Sequence, residues 1–162
     1  MLVVADTSPL NYLVSIDLVE ILPKLYGRIV IPPDVRAELL APDAPRTVRV
    51  WAQDPPSWIS IQSPTASGLA DPRLHSLDRG ESAAIALAIE LHPAMVLIDE
   101  RAGSAMARDL GLPVTGTLGV LDEAARRKLI ALPDAIHRLK RTSFRYPKNV
   151  VAKLLQEDAA RT

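Results

Sequence analysis

Four carboxylates in this sequence stand at positions that an ordinary packed domain does not need to fill with acids. Asp6 and Asp99 each follow a short apolar run. Glu38 lies within a helical segment, and Glu81 begins an alanine-rich one. Clustered carboxylates repel one another and raise each other's pKa, so a group of four is stable mainly when a divalent cation neutralises it. The four positions therefore predict a cation site, on condition that the fold brings the side chains together.

The remaining composition narrows the choice of cation. The chain has no cysteine, and its three histidines, His75, His92 and His137, are far apart in sequence. An oxygen-only set of ligands favours Mg²⁺ or Mn²⁺ over Zn²⁺. Such an ion lowers the pKa of a bound water, aligns it with a phosphodiester and neutralises charge on the leaving oxygen. The predicted chemistry is hydrolysis of a nucleic-acid backbone.

Short apolar runs alternate with helical segments along the chain. The runs that we interpret as strands are 2–5, 28–31, 58–61, 94–98 and 113–114. The segments that we interpret as helices begin with one at Pro9 capped by Ser8, followed by 34–40, 48–52, 81–91, 102–110, 117–130, 133–141 and 147–158. This alternation predicts an α/β fold with a parallel β-sheet flanked by helices on both faces. Asp6 and Asp99 then fall at the carboxyl ends of strands, where open α/β sheets bind ligands.

Length and composition predict one domain. The chain has 162 residues, of which 48% are hydrophobic and 23% charged, enough for one core and too few for two. We expect a single domain over 1–162, with a core over about 2–130 and C-terminal helices over about 133–158. No apolar run approaches the roughly 18 residues of a membrane span. The start of the chain does not resemble a signal peptide, so we expect a cytoplasmic protein without membrane association.

Basic residues concentrate in one stretch, although the whole chain carries no net charge. Between 126 and 148 there are eight lysines and arginines against one acid, Asp134. This stretch suits a phosphate backbone, or else it complements helix ends and solvates a surface. Aromatic residues make up only 4% of the chain, so a platform for stacked bases is not predicted.

Four segments occur in an order that resembles one known family, namely 4–10, 35–39, 80–88 and 97–101. Together they resemble a PIN domain over about residues 2 to 155. The segment 111–121, which follows the last acid, resembles the VapC-like branch of that family.

The resemblance implies a compact parallel-sheet nuclease whose acids bind Mg²⁺ or Mn²⁺. It assigns Asp6, Glu38, Glu81 and Asp99 as both the catalytic and the metal-binding residues. VapC-like members are typically dimeric ribonuclease toxins restrained by a cognate antitoxin. We therefore expect a metal-dependent endoribonuclease that cleaves RNA, the toxin of a type II toxin-antitoxin pair, with an antitoxin partner and a homodimeric assembly.

Three residues depart from the pattern of that branch. The third acid is Glu81 where Asp is more usual, Ile98 stands where many toxins have a polar residue, and Glu100 stands where a second Asp is frequent.

Two alternative functions stay open. One alternative is a catalytically inactive PIN-like binding module that acts through an antitoxin or RNA. The other is a receiver-like or phosphatase-like domain with Asp6 as phosphoacceptor, although paired acids at the first strand are missing.

Each acid also has a structural interpretation. Asp6 can open a turn, and Asp99 can cap the helix that follows it. Glu81 forms an Asp-x-x-Glu capping pattern with Asp78, and Glu38 suits a solvated helix face.

Four further residues are weaker candidates for contact with substrate. Ser8 and Thr117 are also interpreted as helix caps. Asn11 and Arg101 are the other two, and Arg101 can equally pair with a neighbouring acid. Trp51 and Trp58, by contrast, indicate packing in a core or a dimer.

Overall fold

The centre of the fold is a five-stranded parallel sheet. The computed structural model describes residues 1–162, and its strands are β1 (Leu2–Ala5), β2 (Arg28–Ile31), β3 (Ile59–Ile61), β4 (Met95–Leu97) and β5 (Val114–Thr115). The strand order is β3-β2-β1-β4-β5, so the chain runs outward from β1 to β3 and then returns to the other side of β1. The topological switch point therefore lies between β1 and β4, where ligands bind in open α/β sheets.

Ten α-helices surround this sheet. They are α1 (Thr7–Ser15), α2 (Ile21–Tyr26), α3 (Pro33–Leu39), α4 (Arg46–Gln53), α5 (Ala66–Leu69), α6 (Arg79–Leu91), α7 (Arg101–Asp109), α8 (Thr117–Arg126), α9 (Leu132–Lys140) and α10 (Lys148–Arg161). A short 3-10 helix covers Pro72–Leu74. None of the α-helices combines the length and the apolar character needed to cross a membrane.

Alternate residues of the strands enter two separate cores, one on each face of the sheet. Val3 and Ala5 lie in a larger core of 25 buried residues, which includes side chains of α1 to α4 and of α8 to α10. Val4 and Val96 lie in a smaller core of 11 buried residues, built with α6 and α7. Successive side chains of a strand point to opposite faces, and burial of both faces explains why the strands are almost entirely apolar. The predicted α/β fold class, with helices on both faces of a parallel sheet, is confirmed.

The C-terminal helices are part of the larger core. Leu132 and Ile136 of α9 and Val151 of α10 are buried there. Trp51 and Trp58 pack against the same core and contact each other, with ring centroids 6.1 Å apart. Their structural role is therefore packing within this chain.

Element boundaries match the prediction where the signal is local. β1 and β2 have the predicted bounds, and Gly111 follows α7 with a positive φ of 77°, as a glycine at a helix end permits. The helix predicted over 117–130 is too long, because α8 ends at Arg126 and Lys128 turns the chain with a φ of 61°. Helices α2 and α5 were not predicted, since 6 and 4 residues are too few to show a helical period.

Candidate functional site

Asp6 lies at the switch point and is almost completely buried. Its backbone N–H donates to the carbonyl of Leu97 at 2.9 Å, which joins the ends of β1 and β4. Asp6 is the N-cap residue of α1 and only 3% exposed. Because α1 begins at Thr7, the prediction that Ser8 caps this helix from one residue before Pro9 is wrong.

The carboxyl group of Asp6 is under-satisfied. Its Oδ1 is one of two buried side-chain atoms in the chain that lack a hydrogen-bond partner. Burial raises the pKa of Asp6 to about 8 against the lowering effect of the Thr7 backbone N–H, and the charges of Asp78, Glu81 and Glu38 raise it further. An unpaired carboxylate oxygen among other acids is the kind of group that a bound cation stabilises.

Glu38 approaches this group from α3, the helix that follows the neighbouring strand β2. The hydroxyl of Thr7 donates to its Oε2, and the backbone N–H of Gly80 donates to its Oε1 at 3.2 Å. These two donors hold the half-buried Glu38 carboxylate toward Asp6. The interpretation of Glu38 as a freely solvated helix residue is therefore wrong, since its side chain bridges the starts of α1 and α6.

Glu81 combines a structural role with a place in the acidic group. Its backbone N–H donates to Asp78 Oδ1 at 2.8 Å, and the N–H of Asp78 donates to Glu81 Oε2 at 3.4 Å, which confirms the capping box at the start of α6. Glu81 is also buried, its charge raises the pKa of Asp6, and the charge of Glu38 raises the pKa of Glu81 itself. Burial raises the pKa of Glu81 to about 7, and the charge of Asp78 adds to that rise.

Asp99 lies beyond β4 and accepts one hydrogen bond on each carboxylate oxygen. Both donors of Thr117 bind it, the backbone N–H to Oδ1 and the hydroxyl to Oδ2, each at 2.7 Å. Asp99 therefore caps α8 from outside, whereas Glu100 is the N-cap residue of α7, so the cap predicted for the following helix is wrong. Burial raises the pKa of Asp99, and the two bonds from Thr117 counteract this rise. Thr117 itself caps no helix, because Gly116 is the N-cap residue.

Three glycines make room for three of these acids. A Cβ on Gly80 would lie 2.5 Å from Glu38 Oε2, and one on Gly116 would lie 2.6 Å from Asp99 Oδ1. A Cβ on Gly103, inside α7, would lie 3.3 Å from Glu81 Cδ. In this arrangement the carboxylate oxygens of Glu38 and Asp99 leave no room for a Cβ at Gly80 or Gly116, whereas a Cβ at Gly103 would make only a tight contact.

One comparison with known proteins identifies the family of this chain. A family model described as a PIN domain matches residues 2–159. The chain belongs to the PIN domain family. No curated protein and no solved structure matches it significantly. The PIN fold is a nuclease-type fold, so the switch point with its acids is the candidate active site of this PIN domain.

PIN nucleases typically use divalent metals, and the donor chemistry at the switch point fits such an ion. Asp6, Glu38 and Glu81 form one electrostatic group, in which the two flanking charges raise the pKa of Asp6. Asp6 Oδ1 is a buried carboxylate oxygen that accepts no hydrogen bond. The side chains nevertheless do not form a closed coordination set, since no group of three or more His, Cys, Asp or Glu residues is arranged to hold one ion. Each carboxylate oxygen of Asp99 and Glu38 accepts one hydrogen bond within the PIN domain and keeps a second lone pair for a ligand.

Two of the weaker substrate candidates line a cavity beside Asp99. This cavity has a volume of about 340 Å³, and its lining includes Ser8 and Arg101. Asn11 is not part of that lining; its carbonyl accepts a bond of 2.7 Å from the Ser15 hydroxyl. Thr117 is fully buried and positions Asp99.

Sequence reasoning missed the residues that hold the acids in place. Thr7 and the glycines at 80, 103 and 116 were not candidates. Gly103 carries a usable signal, because glycine inside a helix costs about 1 kcal/mol relative to alanine and so indicates close packing. Thr7 has no such signal, since its partner Glu38 is 31 residues away.

Proposed function

We propose that this PIN domain is a Mg²⁺- or Mn²⁺-dependent endoribonuclease. The observation that carries the proposal is the buried, unpaired Oδ1 of Asp6 next to Glu38 and Glu81, at the switch point of the sheet. Asp6, Glu38, Glu81 and Asp99 are the residues that would hold the ion and carry the catalysis. When bound there, a divalent ion neutralises the acids and lowers the pKa of a water molecule for attack on a phosphodiester.

The protein contributes orientation and charge. Thr7 and Gly80 fix the Glu38 carboxylate, and Thr117 fixes that of Asp99. Asp6 has no such donor on Oδ1, so it is the acid most dependent on an external cation. Since the pKa values of Asp6 and Glu81 are raised to about 8 and about 7, binding of a cation displaces protons from these groups. Cation affinity is therefore expected to increase with pH across the neutral range.

The biological role that we propose is that of a VapC-like toxin. Its support is the resemblance of residues 111–121 to that branch. The proposal includes a homodimer, a cognate antitoxin and a cytoplasmic location. Co-expression with the product of the adjacent gene tests it: the two proteins are expected to co-purify, and growth inhibition by the PIN domain alone is expected to disappear.

Cleavage of single-stranded RNA tests the enzymatic part of the proposal. We expect cleavage with Mg²⁺ or Mn²⁺, none with EDTA, and products that carry 5′-phosphates. Asp6→Asn is expected to lower the rate by about 100-fold or more, because its carboxylate is the least satisfied ligand. Asp43→Asn is the matched control, since Asp43 is exposed and is not among the charges that raise the pKa of Asp6. Cleavage by Asp6→Asn at the rate of the control would refute the assignment.

One observation favours a second candidate, a PIN domain that binds RNA or an antitoxin without catalysis. Glu81 already closes a capping box, Asp99 accepts two hydrogen bonds from Thr117, and no three of the acids are arranged around one ion. Titration calorimetry with Mn²⁺ separates the two functions. Stoichiometric heat of binding that vanishes in Asp6→Asn supports the nuclease, whereas absence of binding together with tight RNA binding supports the second candidate.

A further inference from the structure

A groove beside Asp99 has the shape and charge of a nucleic-acid subsite. It consists of two cavities of about 450 and 340 Å³ that share four lining residues, Asp99, Arg101, Phe144 and Arg145. The larger cavity is also lined by Arg108. We call this combined feature the arginine groove. Its position makes it continuous with the candidate active site, because Asp99 lines both cavities.

The guanidinium groups of the arginine groove have no partner within the protein. Nine of the 14 arginines donate to protein oxygens, mostly carboxylates. Three of the remaining five, Arg101, Arg108 and Arg145, line this groove and are exposed. They outnumber the two acids there, Asp99 and Glu100.

The basic stretch recognised in the sequence contributes little else to this surface. Arg126, Arg127 and Arg138 each pair with an acid one turn earlier on their own helix. Among the basic residues between 126 and 148, Arg145 alone lines the arginine groove. The groove therefore takes its charge from α7 and from the segment before α10, which are joined by tertiary packing.

An aromatic wall faces these charges. Phe144 contacts Tyr12 edge-on with centroids 5.0 Å apart, and it stacks on Tyr146 at 6.5 Å. The Tyr12 hydroxyl also lies 3.2 Å from Ser143 Oγ, so the wall is held against α1. A half-buried ring next to an unpaired guanidinium matches the alternation of base and phosphate along a nucleic-acid strand.

We propose that the arginine groove binds one segment of single-stranded nucleic acid, with Arg101, Arg108 and Arg145 on its phosphates and Phe144 against a base. The inference rests on the proposed function, since it places the strand next to Asp99. A duplex is excluded from this mode because its bases are stacked and paired inside the helix and cannot reach Phe144. An acidic peptide satisfies the arginines but leaves the aromatic wall unused.

Fluorescence anisotropy in EDTA tests the proposal without any cleavage. The probes are a short labelled single-stranded RNA, the same sequence as DNA, its duplex, and a glutamate-rich peptide. Arg101→Gln and Arg145→Gln are expected to weaken single-strand binding on the order of tenfold each and to lower the salt slope by about 1. Arg46→Gln and Arg141→Gln are matched controls, because these arginines are also exposed and unpaired but lie outside the groove. Phe144→Leu is expected to lose about fivefold or more, and Phe144→Tyr to retain binding.

Each outcome decides the matter. Equal binding by the groove variants and the controls, or equal affinity for the duplex or the peptide, would overturn the proposal. Equal affinity for the RNA and the DNA supports the proposal, and any preference of the enzyme for RNA would then arise at the acids and not in the groove. Groove-dependent binding by a protein that cleaves nothing upholds this proposal and refutes the proposed function. Groove variants that still cleave RNA and still bind the single strand with full affinity refute this proposal and uphold the proposed function.

Discussion

Asp6 and Asp99 follow adjacent strands of the sheet, yet their carboxyl groups have different surroundings. Asp99 accepts two hydrogen bonds from Thr117, whereas Oδ1 of Asp6 accepts none. Burial raises the pKa of both groups, but only that of Asp6 is also raised by Asp78, Glu81 and Glu38. The comparison indicates that the β1 side of the switch point concentrates mutually repelling carboxyl groups, whereas on the β4 side Asp99 also anchors the start of α8 and lines a groove.

The largest expected effect is on the pH dependence of stability without divalent ions. Folding raises the pKa of Asp6 from 3.8 to about 8, so between these values the folded protein holds a proton that the unfolded chain releases. The free energy of unfolding should therefore fall as pH rises from about 4 to about 8, by several kcal/mol, since one pKa unit corresponds to about 1.4 kcal/mol. Urea unfolding in EDTA across this range measures the slope.

Asp6→Asn should remove the part of that slope that Asp6 contributes, because the amide stays neutral at every pH, and should leave the smaller part due to Glu81, whose pKa is also raised. Asp43→Asn should keep the whole slope. Added Mn²⁺ should flatten the slope in the unmodified protein by stabilising the ionised group. An unchanged slope in Asp6→Asn would show that folding does not raise the pKa of Asp6.

A smaller effect on stability is expected when the threonine hydroxyl that binds an acid is removed on either side of the switch point, and its size should differ between the two sides. Thr117→Val removes the hydroxyl donor of Asp99 from a fully buried position, and we expect a loss of about 1–3 kcal/mol. Thr7→Val removes the corresponding donor of Glu38, but Thr7 is only half-buried, so water can replace its hydroxyl and the loss should be smaller. Thr117→Ser, which keeps the hydroxyl, is the control. Equal stability of all three variants in urea unfolding would contradict the comparison.

The smallest effect is expected at Gly103, where α7 passes Glu81. Alanine there gains about 1 kcal/mol in helix propensity, but its Cβ would lie 3.2 Å from Ile98 Cγ2 and 3.3 Å from Glu81 Cδ. Gly103→Ala should therefore gain less than Ala105→Gly loses, because Ala105 is an exposed position of the same helix. If Gly103→Ala raised the stability in thermal unfolding by as much as Ala105→Gly lowered it, the side chain of Glu81 would have to move freely away from the added Cβ.

Features that depend on neighbours in sequence were accessible before the structure. The apolar runs at 2–5 and 28–31 predicted β1 and β2 with their bounds, because a strand buried on both faces has no polar positions to blur its limits. The capping box at Asp78 and Glu81 is another example, as its two partners are three residues apart. Two of the acids were found for the same reason, because Asp6 and Asp99 directly follow apolar runs in the sequence.

The sequence by itself therefore determined the fold class, the family resemblance and the residue types available for chemistry, all of which depend on local patterns. Only the tertiary structure decided that Thr117 satisfies Asp99 across 18 residues and that Thr7 reaches Glu38 across 31. It also decided that Arg101 and Arg145 share one groove. The physical reason is that hydrogen bonding and desolvation depend on distances in space, and the packing of α1, α6, α7 and α8 around the switch point sets those distances.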